Sequence, residues 1–212
     1  MKDHFLGIPF YRFYYKRPKE IFDLARRLKF NPTNTTNCIW EGVKDDGLSG
    51  SDLHKLPAFG NFFEWVQECL DEVATDLKMT TPLRVNAAWA HLNRPGEHLY
   101  LHNHNNCFVS SNYYVSGSSE DHTVWYYPNP YYEKTNMYPG GEILNEEEED
   151  IKYSLVHKEP TEPGKYIVFP PTIPHKSECN SSSGDRITLA ADAFPTGLVN
   201  RGGTSRLMVN VL

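Results

Sequence analysis

The stretch EHLYLHNHNNCFVSSNYYV, residues 97–115, places three histidines, His98, His102 and His104, directly before an apolar and aromatic run. The run is typical of a β-strand, and the asparagines before it are typical of a strand end. Side chains alternate along an extended chain, so His102 and His104 point to one face. Two imidazoles on one face at a strand end can bind the same metal ion, which then needs a third ligand from another segment.

His175, in the segment IVFPPTIPHKSECN, is the strongest candidate for that third ligand. A predicted strand ends at Phe169, a Pro-Pro turn follows, and Pro174 restricts the backbone directly before the histidine. His98 competes as a ligand, but it adjoins the RPGE turn and is expected to lie further out. The alternative is that the H-x-H pattern arose by chance and that these histidines are surface or hydrogen-bonded core residues.

Hydrophobic patterns on both sides of these histidines predict the fold. Apolar residues recur at helical spacing over residues 18–30 and 61–79, which predicts two helices. Later segments alternate between apolar and polar residues, and turn signals separate them. The expected strands are 83–92, 98–104, 108–115, 122–127, 153–157, 166–170, 186–194 and 205–211.

Two helices followed by short strands predict a mainly β fold with N-terminal helices, a double-sheet jelly roll or cupin-like barrel. We expect one domain over residues 1–212. Residues 1–82 would be its helical or mixed support, and residues 83–212 its β core.

The segment DRITLAADAF carries a candidate anion-binding group. Arg186 and Thr188 alternate with its apolar residues, and a guanidinium on a buried strand needs an anion. The N–H groups of a guanidinium match the geometry of a carboxylate, so a small-molecule carboxylate is the predicted ligand. Tyr114, from the segment SSNYYV, can reach the same ligand. The alternatives are an ion pair of Arg186 with Asp185 or Asp192, or an exposed strand end.

Net charge, hydropathy and cysteine content limit the kinds of partner and the cellular compartment that we expect. The formal net charge is -6, without a basic stripe, so nucleic acid is not expected as the main partner. No stretch has the length and apolar character of a membrane span, and the N-terminus lacks the layout of a signal peptide. The four cysteines are scattered and read as free thiols, which predicts a cytoplasmic protein.

Taken together, these motifs resemble those of the Fe(II)/2-oxoglutarate-dependent oxygenases, in particular a subgroup with an H-x-H…H pattern found in marine bacteria and their phages. The matching segments are WAHLNRPGEHLYLHNHNNCFVSSNYYV, GKYIVFPPTIPHKSECN and DRITLAADAF. The resemblance covers roughly residues 83–194, and the ordered set is far more specific than any single segment.

The resemblance implies a double-stranded β-helix that holds Fe(II) through His102, His104 and His175. It also implies that Arg186 and Thr188 hold the distal carboxylate of 2-oxoglutarate. Tyr114 would assist them. Molecular oxygen and 2-oxoglutarate would then oxidise a small-molecule or peptide substrate, with release of succinate and CO2.

One position departs from the wider superfamily, in which the second ligand is Asp or Glu and not a histidine such as His104. Three neutral ligands leave the site one negative charge short, which should favour an anionic co-substrate. Cupin-type thiol dioxygenases share this ligand set and use no 2-oxoglutarate, so they are an alternative. A non-catalytic module holding zinc or nickel is another. The order H-x-H, YY strand, distal histidine and arginine favours the oxygenase.

Three further expectations concern the surroundings of the site. The Tyr-rich segment 128–150 is predicted to be either a lid over the site or disordered. Trp125 and Tyr127, on the strand that enters it, are candidate substrate contacts, and Trp125 is equally a candidate core residue. The C-terminal segment SRLMVNVL is an edge on which a second copy could pair to form a homodimer.

Overall fold

The computed structural model describes residues 2–5, 7–33, 37–127, 155–199 and 207–210. Within this part of the chain lie two α-helices, three short 3-10 helices and thirteen β-strands. The α-helices are α1 (Pro18–Ala25) and α2 (Gly60–Asp76). The strands are β1 (Lys2–Phe5), β2 (Ile8–Tyr14), β3 (Phe30–Pro32), β4 (Cys38–Trp40), β5 (Leu83–Asn93), β6 (Val109–Tyr114), β7 (His122–Tyr127), β8 (Leu155–Pro160), β9 (Lys165–Phe169), β10 (His175–Ser177), β11 (Arg186–Pro195), β12 (Gly197–Val199) and β13 (Leu207–Val209).

Two antiparallel sheets form the body of the molecule. The larger sheet has eight strands in the order β1-β2-β9-β6-β11-β5-β4-β3, and the smaller has the order β10-β7-β8. Side chains from both sheets pack together, among them Phe10 and Tyr114 from the large sheet and Trp125 from the small one. The sheets therefore face each other, which confirms the predicted mainly β, jelly-roll type of fold.

Helix α2 covers the outer face of the large sheet. Its buried residues Val66 and Leu70 share one core with Leu189 and Ala191 of β11. Because side chains alternate along β11, this packing turns Arg186 and the other even-numbered residues of the strand toward the space between the sheets. The helical layer thus fixes which residues of β11 can contribute to an internal site.

The N-terminal third does more than support the β core. Its helices begin within one residue of the predicted starts, but it also supplies β1 to β4, half of the large sheet. Strand β2 pairs with β9, and β4 pairs with β5. The prediction of a helical or mixed support for residues 1–82 is therefore incomplete. It missed β3 and β4 because each has only three residues, too few for an alternating pattern to be recognised in the sequence.

Most predicted strands lie within a few residues of the observed ones, but a strand over residues 98–104 does not form. Instead His102 makes an isolated antiparallel bridge with His175. Asparagines at 103, 105 and 106 are poor strand formers, which accounts for the difference. Predicted strand 205–211 appears as β13, paired with β12.

The predicted lid at residues 128–150 lies outside the described residues. Among the described helices, neither the length nor the apolar character reaches what a bilayer crossing requires.

Candidate metal centre

The structure brings the three predicted ligands together from two distant segments. His102 and His104 lie on the connection between β5 and β6, and His175 opens β10. The backbones of His102 and His175 exchange two hydrogen bonds of 3.0 and 2.8 Å, and the His104 amide donates to the Pro171 carbonyl at 3.0 Å. One ligand-type atom from each histidine lies within 4.8 Å of the other two. His98 is not part of this group and lies 3.9 Å from the sulfur of Cys179.

Hydrogen bonds fix the same tautomer in all three rings. The Nδ1 atom of His102 lies 2.8 Å from the backbone carbonyl oxygen two residues earlier, and that of His175 lies 3.0 Å from the corresponding oxygen. The Nδ1 atom of His104 faces the Asp192 carboxylate, with Oδ2 at 3.3 Å. In a neutral ring, a proton on Nδ1 that faces such an acceptor leaves a lone pair on Nε2. The Nε2 atoms of His104 and His175 are 3.3 Å apart, and in this tautomer a cation between them would relieve the contact of their lone pairs.

Burial favours the neutral form of His102 and His175. It lowers the pKa of His102, and the neighbouring His104 lowers it further. Burial and the proximity of His102 hold the pKa of His175 well below its usual value. Neutral imidazoles are the form that binds a metal ion, so these two rings are ready for a cation at neutral pH.

Two residues outside the predicted set hold the His104 ring. Trp89 stacks on it with ring centroids 5.5 Å apart, and Asp192 faces its Nδ1. The indole N–H of Trp89 donates to Nε2 of His91 at 2.6 Å. That Nε2 is therefore occupied as an acceptor, and burial lowers the pKa of His91 to about 3. His91 is a neutral wall residue of the site.

A narrow cavity runs from the three histidines into the space between the sheets. Its wall includes Asn93, Thr123, Ser177 and Thr188, together with Leu99. Its volume is about 30 Å³, enough for roughly two water molecules. A larger ligand therefore requires side chains of the wall to move.

Arg186 is 1 % exposed and lies behind two residues of the cavity wall, Ser177 and Asn93. Its Nη2 donates to Ser177 Oγ at 2.9 Å and to the Glu178 carbonyl at 2.7 Å. Its Nη1 is 3.6 Å from the Asp121 carboxylate and has no hydrogen-bond partner among the described residues. The side-chain amide nitrogen of Asn93, its cross-strand partner, is also buried without a partner in the described part of the chain.

Two neighbouring buried donors without partners, one of them on the cavity wall, call for an acceptor, and a carboxylate fits both. The alternatives for Arg186, an ion pair with Asp185 or Asp192 or an exposed strand end, do not hold. The residue is buried, and the carboxylate beside it belongs to Asp121.

Thr188 and Tyr114 lie on the same side of the large sheet as Arg186. Thr188 lines the cavity. Tyr114 is fully buried, and its phenol donates to Thr123 Oγ1 at 2.9 Å. Burial raises the pKa of Tyr114, so the phenol stays protonated. Tyr114 thus reaches the cavity through Thr123 and not by the direct contact expected from the sequence.

The two candidate substrate contacts occupy different positions. Trp125 is fully buried and packs against Phe10, Phe169 and His175. It is a core residue behind the metal site, so its predicted contact with substrate is not supported by its position. Tyr127 is half-buried at the last position of β7 and is not among the residues that line the cavity.

Comparison with known proteins gives one family and a set of similar folds. The family model described as "Putative 2OG-Fe(II) oxygenase" matches residues 87–192, which include the histidines, Arg186 and Asp192. No curated protein matches the sequence.

Similar solved structures share the fold at low sequence identity. HygX from Streptomyces hygroscopicus, solved with nickel and 2-oxoglutarate, has a TM-score of 0.59 at 14% identity, over 88% of this chain and 83% of that one. A Pseudomonas putida prolyl-4-hydroxylase has a TM-score of 0.56 at 13% identity, over 89% and 93%. A 2OG-Fe(II) oxygenase family oxidoreductase from Burkholderia pseudomallei has a TM-score of 0.56 at 11% identity, over 84% and 77%.

Proposed function

The chain belongs to the 2OG-Fe(II) oxygenase family, and from this premise we propose that it hydroxylates a C–H bond of a small molecule or a peptide. The balanced reaction takes the substrate, 2-oxoglutarate and molecular oxygen to the hydroxylated substrate, succinate and CO2. When bound, Fe(II) and 2-oxoglutarate together activate oxygen for attack on that bond.

One observation carries the proposal: a single cavity is lined by three clustered histidines and borders two buried donors without partners. His102, His104 and His175 bring one ligand-type atom each within 4.8 Å of the others. Asn93 on the cavity wall and Arg186 behind it each bury an N–H group without a hydrogen-bond partner among the described residues. A dicarboxylate with one end on the metal satisfies both requirements at once.

The chain's own residues then have distinct tasks. The three histidines would hold Fe(II), and their fixed tautomers orient the Nε2 lone pairs toward it. Arg186 would bind the distal carboxylate of 2-oxoglutarate, with the Thr188 hydroxyl beside it on the cavity wall.

Two features of the cavity wall bear on co-substrate binding. Asp121 balances the Arg186 charge while the cavity holds no anion. Leu99 and Lys176 are half-exposed residues of the wall, and displacement of their side chains would open the space that 2-oxoglutarate needs.

The test is succinate formation by protein reconstituted with Fe(II) and supplied with 2-oxoglutarate and oxygen. Slow uncoupled succinate release is expected without substrate, and it should fall to background in His102→Ala and His175→Ala. Oxygen consumption with a thiol or a diketone, independent of 2-oxoglutarate, would replace the proposal with a three-histidine dioxygenase. Metal binding without either activity would indicate a non-catalytic module.

Location and assembly are part of the same proposal. A reducing, cytoplasmic compartment is supported by the four free cysteines, of which Cys179 is exposed. Self-association is supported by the exposed apolar side chains of Leu207 and Met208 on β13. Sedimentation of the wild-type protein against Met208→Lys measures whether these side chains join two copies.

A further inference from the structure

Asp192 is a buried carboxylate that contacts a predicted metal ligand. It lies on β11, is 7% exposed, and places Oδ1 and Oδ2 at 3.1 and 3.3 Å from Nδ1 of His104. The register between β11 and β5 shifts between Asp192 and Ala193. Irregularities of this kind re-aim side chains near functional sites.

The other two histidines have a different environment. Nδ1 of His102 and Nδ1 of His175 face neutral backbone carbonyls, whereas Nδ1 of His104 faces a charged carboxylate. A carboxylate acceptor raises the basicity of the ring and so strengthens its bond to a cation on the opposite nitrogen. The three histidines are therefore not equivalent.

We propose that Asp192 is the positioning residue of the metal centre: it orients His104 and supplies, from behind the ring, the negative charge that the three ligands lack. The proposal rests on the proposed function only in requiring a metal ion at the three histidines. It requires neither 2-oxoglutarate nor turnover.

The charge balance around Asp192 supports this role. Oδ1 is buried and makes no hydrogen bond of good geometry within the described part of the chain. The neighbouring Cys107 stays a neutral thiol, because burial and Asp192 raise its pKa to about 12, and it therefore does not balance the carboxylate. A buried carboxylate without a cation is unfavourable, and a divalent ion on the far side of the His104 ring compensates it.

The same geometry explains why position 104 is not an aspartate. The Nδ1 atom of histidine and the Oδ1 atom of aspartate are separated from Cα by the same number of bonds. An aspartate at position 104 would therefore bring a second carboxylate to the place where Nδ1 now meets Asp192. Two carboxylates at that distance repel each other. Asp192 and His104 form a matched pair in which each residue requires the other.

Metal affinity, measured without oxygen by Co(II) titration against a fluorescent chelator, tests the proposal. Asp192→Asn keeps an acceptor but loses the charge, and Asp192→Ala loses both. Loss of such a partner typically weakens metal binding by about 10- to 100-fold, with the larger loss expected in Asp192→Ala. Glu178→Gln is the matched control, because His122 Nδ1 lies 2.8 Å from Glu178 Oε2 in a similar pair away from the three histidines. Its affinity should stay within about twofold of wild type, since His122 is not a ligand.

A rescue experiment separates positioning from general loss of structure. His104→Asp should bind Co(II) more weakly than the double variant His104→Asp/Asp192→Asn, in which one of the two repelling carboxylates is neutral. Equal affinities of wild type, Asp192→Asn and Asp192→Ala would overturn the proposal, as would His104→Asp binding no more weakly than the double variant. Failure of the wild type to bind metal would overturn both this proposal and the proposed function, whereas metal binding without succinate formation would refute the proposed function alone. Should Asp192→Ala not fold, the near-isosteric Asp192→Asn decides.

Discussion

Replacing Arg186 by alanine should remove tight binding of 2-oxoglutarate while the metal site stays intact. The guanidinium and the Asp121 carboxylate are 1% and 3% exposed and lie 3.6 Å apart. Removal of the arginine leaves Asp121 uncompensated, beside the carboxylate of the incoming ligand. Truncating one partner of a buried charge pair costs about 2–5 kcal/mol, and a tenfold change in affinity corresponds to about 1.4 kcal/mol.

The expected loss of 2-oxoglutarate affinity is therefore between about 30-fold and several thousand-fold, and repulsion from Asp121 places it toward the upper end. Isothermal titration of 2-oxoglutarate into Ni(II)-loaded protein without oxygen measures it. The double variant Arg186→Ala/Asp121→Asn should regain part of the affinity, because the uncompensated charge is gone. Metal affinity should be unchanged in both variants.

Two results would refute this reasoning. Equal 2-oxoglutarate affinity in wild type and Arg186→Ala would show that the distal carboxylate does not bind beside Arg186. Loss of metal binding in Arg186→Ala, in a protein that still unfolds cooperatively, would show that the arginine and the three histidines are not independent.

Three further predictions concern the residues around the site. Tyr114→Phe removes a neutral hydrogen bond to Thr123, so titration should show 2-oxoglutarate binding about 2- to 10-fold weaker; equal affinity would exclude a role for the phenol. Glu159, buried beside Arg12, has a pKa lowered to about 2, and hydrogen bonds from His157 and Arg12 outweigh the opposing effect of burial. Glu159→Gln should therefore lower the free energy of unfolding by about 3 kcal/mol at pH 7, as measured by urea unfolding. The difference from wild type should shrink as the pH falls from about 4.5 toward 2, and a difference that does not depend on pH would contradict the charge argument. Leu70→Ala should lower the free energy of unfolding by about 2–5 kcal/mol without changing metal affinity, because the helical layer lies outside the sheets.

Sequence patterns located the three histidines that the structure brings together, because short-range signals mark them. The H-x-H spacing singled out His102 and His104, although they do not lie on a strand, and the Pro-Pro turn places His175 at the start of one. Alternation also identified the inward face of β11, with Arg186 and Thr188. The family resemblance identified which chain segments meet at the site. The H-x-H segment, however, forms an isolated β-bridge at His102 and not the predicted strand.

The partners of those residues depend on long-range packing and were not predictable in the same way. The sequence analysis considered Asp192 only as an alternative ion-pair partner for Arg186. Six residues along a strand span about 20 Å, so the two side chains lie too far apart to pair. Asp121 and Asn93 come from other segments, and no local pattern connects them with Arg186.

The reciprocal backbone hydrogen bonds between His102 and His175 set the spacing of two ligands by main-chain pairing alone. The frame is thus independent of the side chains that it carries. Exchanging either imidazole for another donor, such as a thiolate or a carboxamide, should keep the Cα positions and alter only the chemistry presented to the ion. The molecule is therefore a suitable scaffold for building artificial metal centres with a chosen mixture of hard and soft donors.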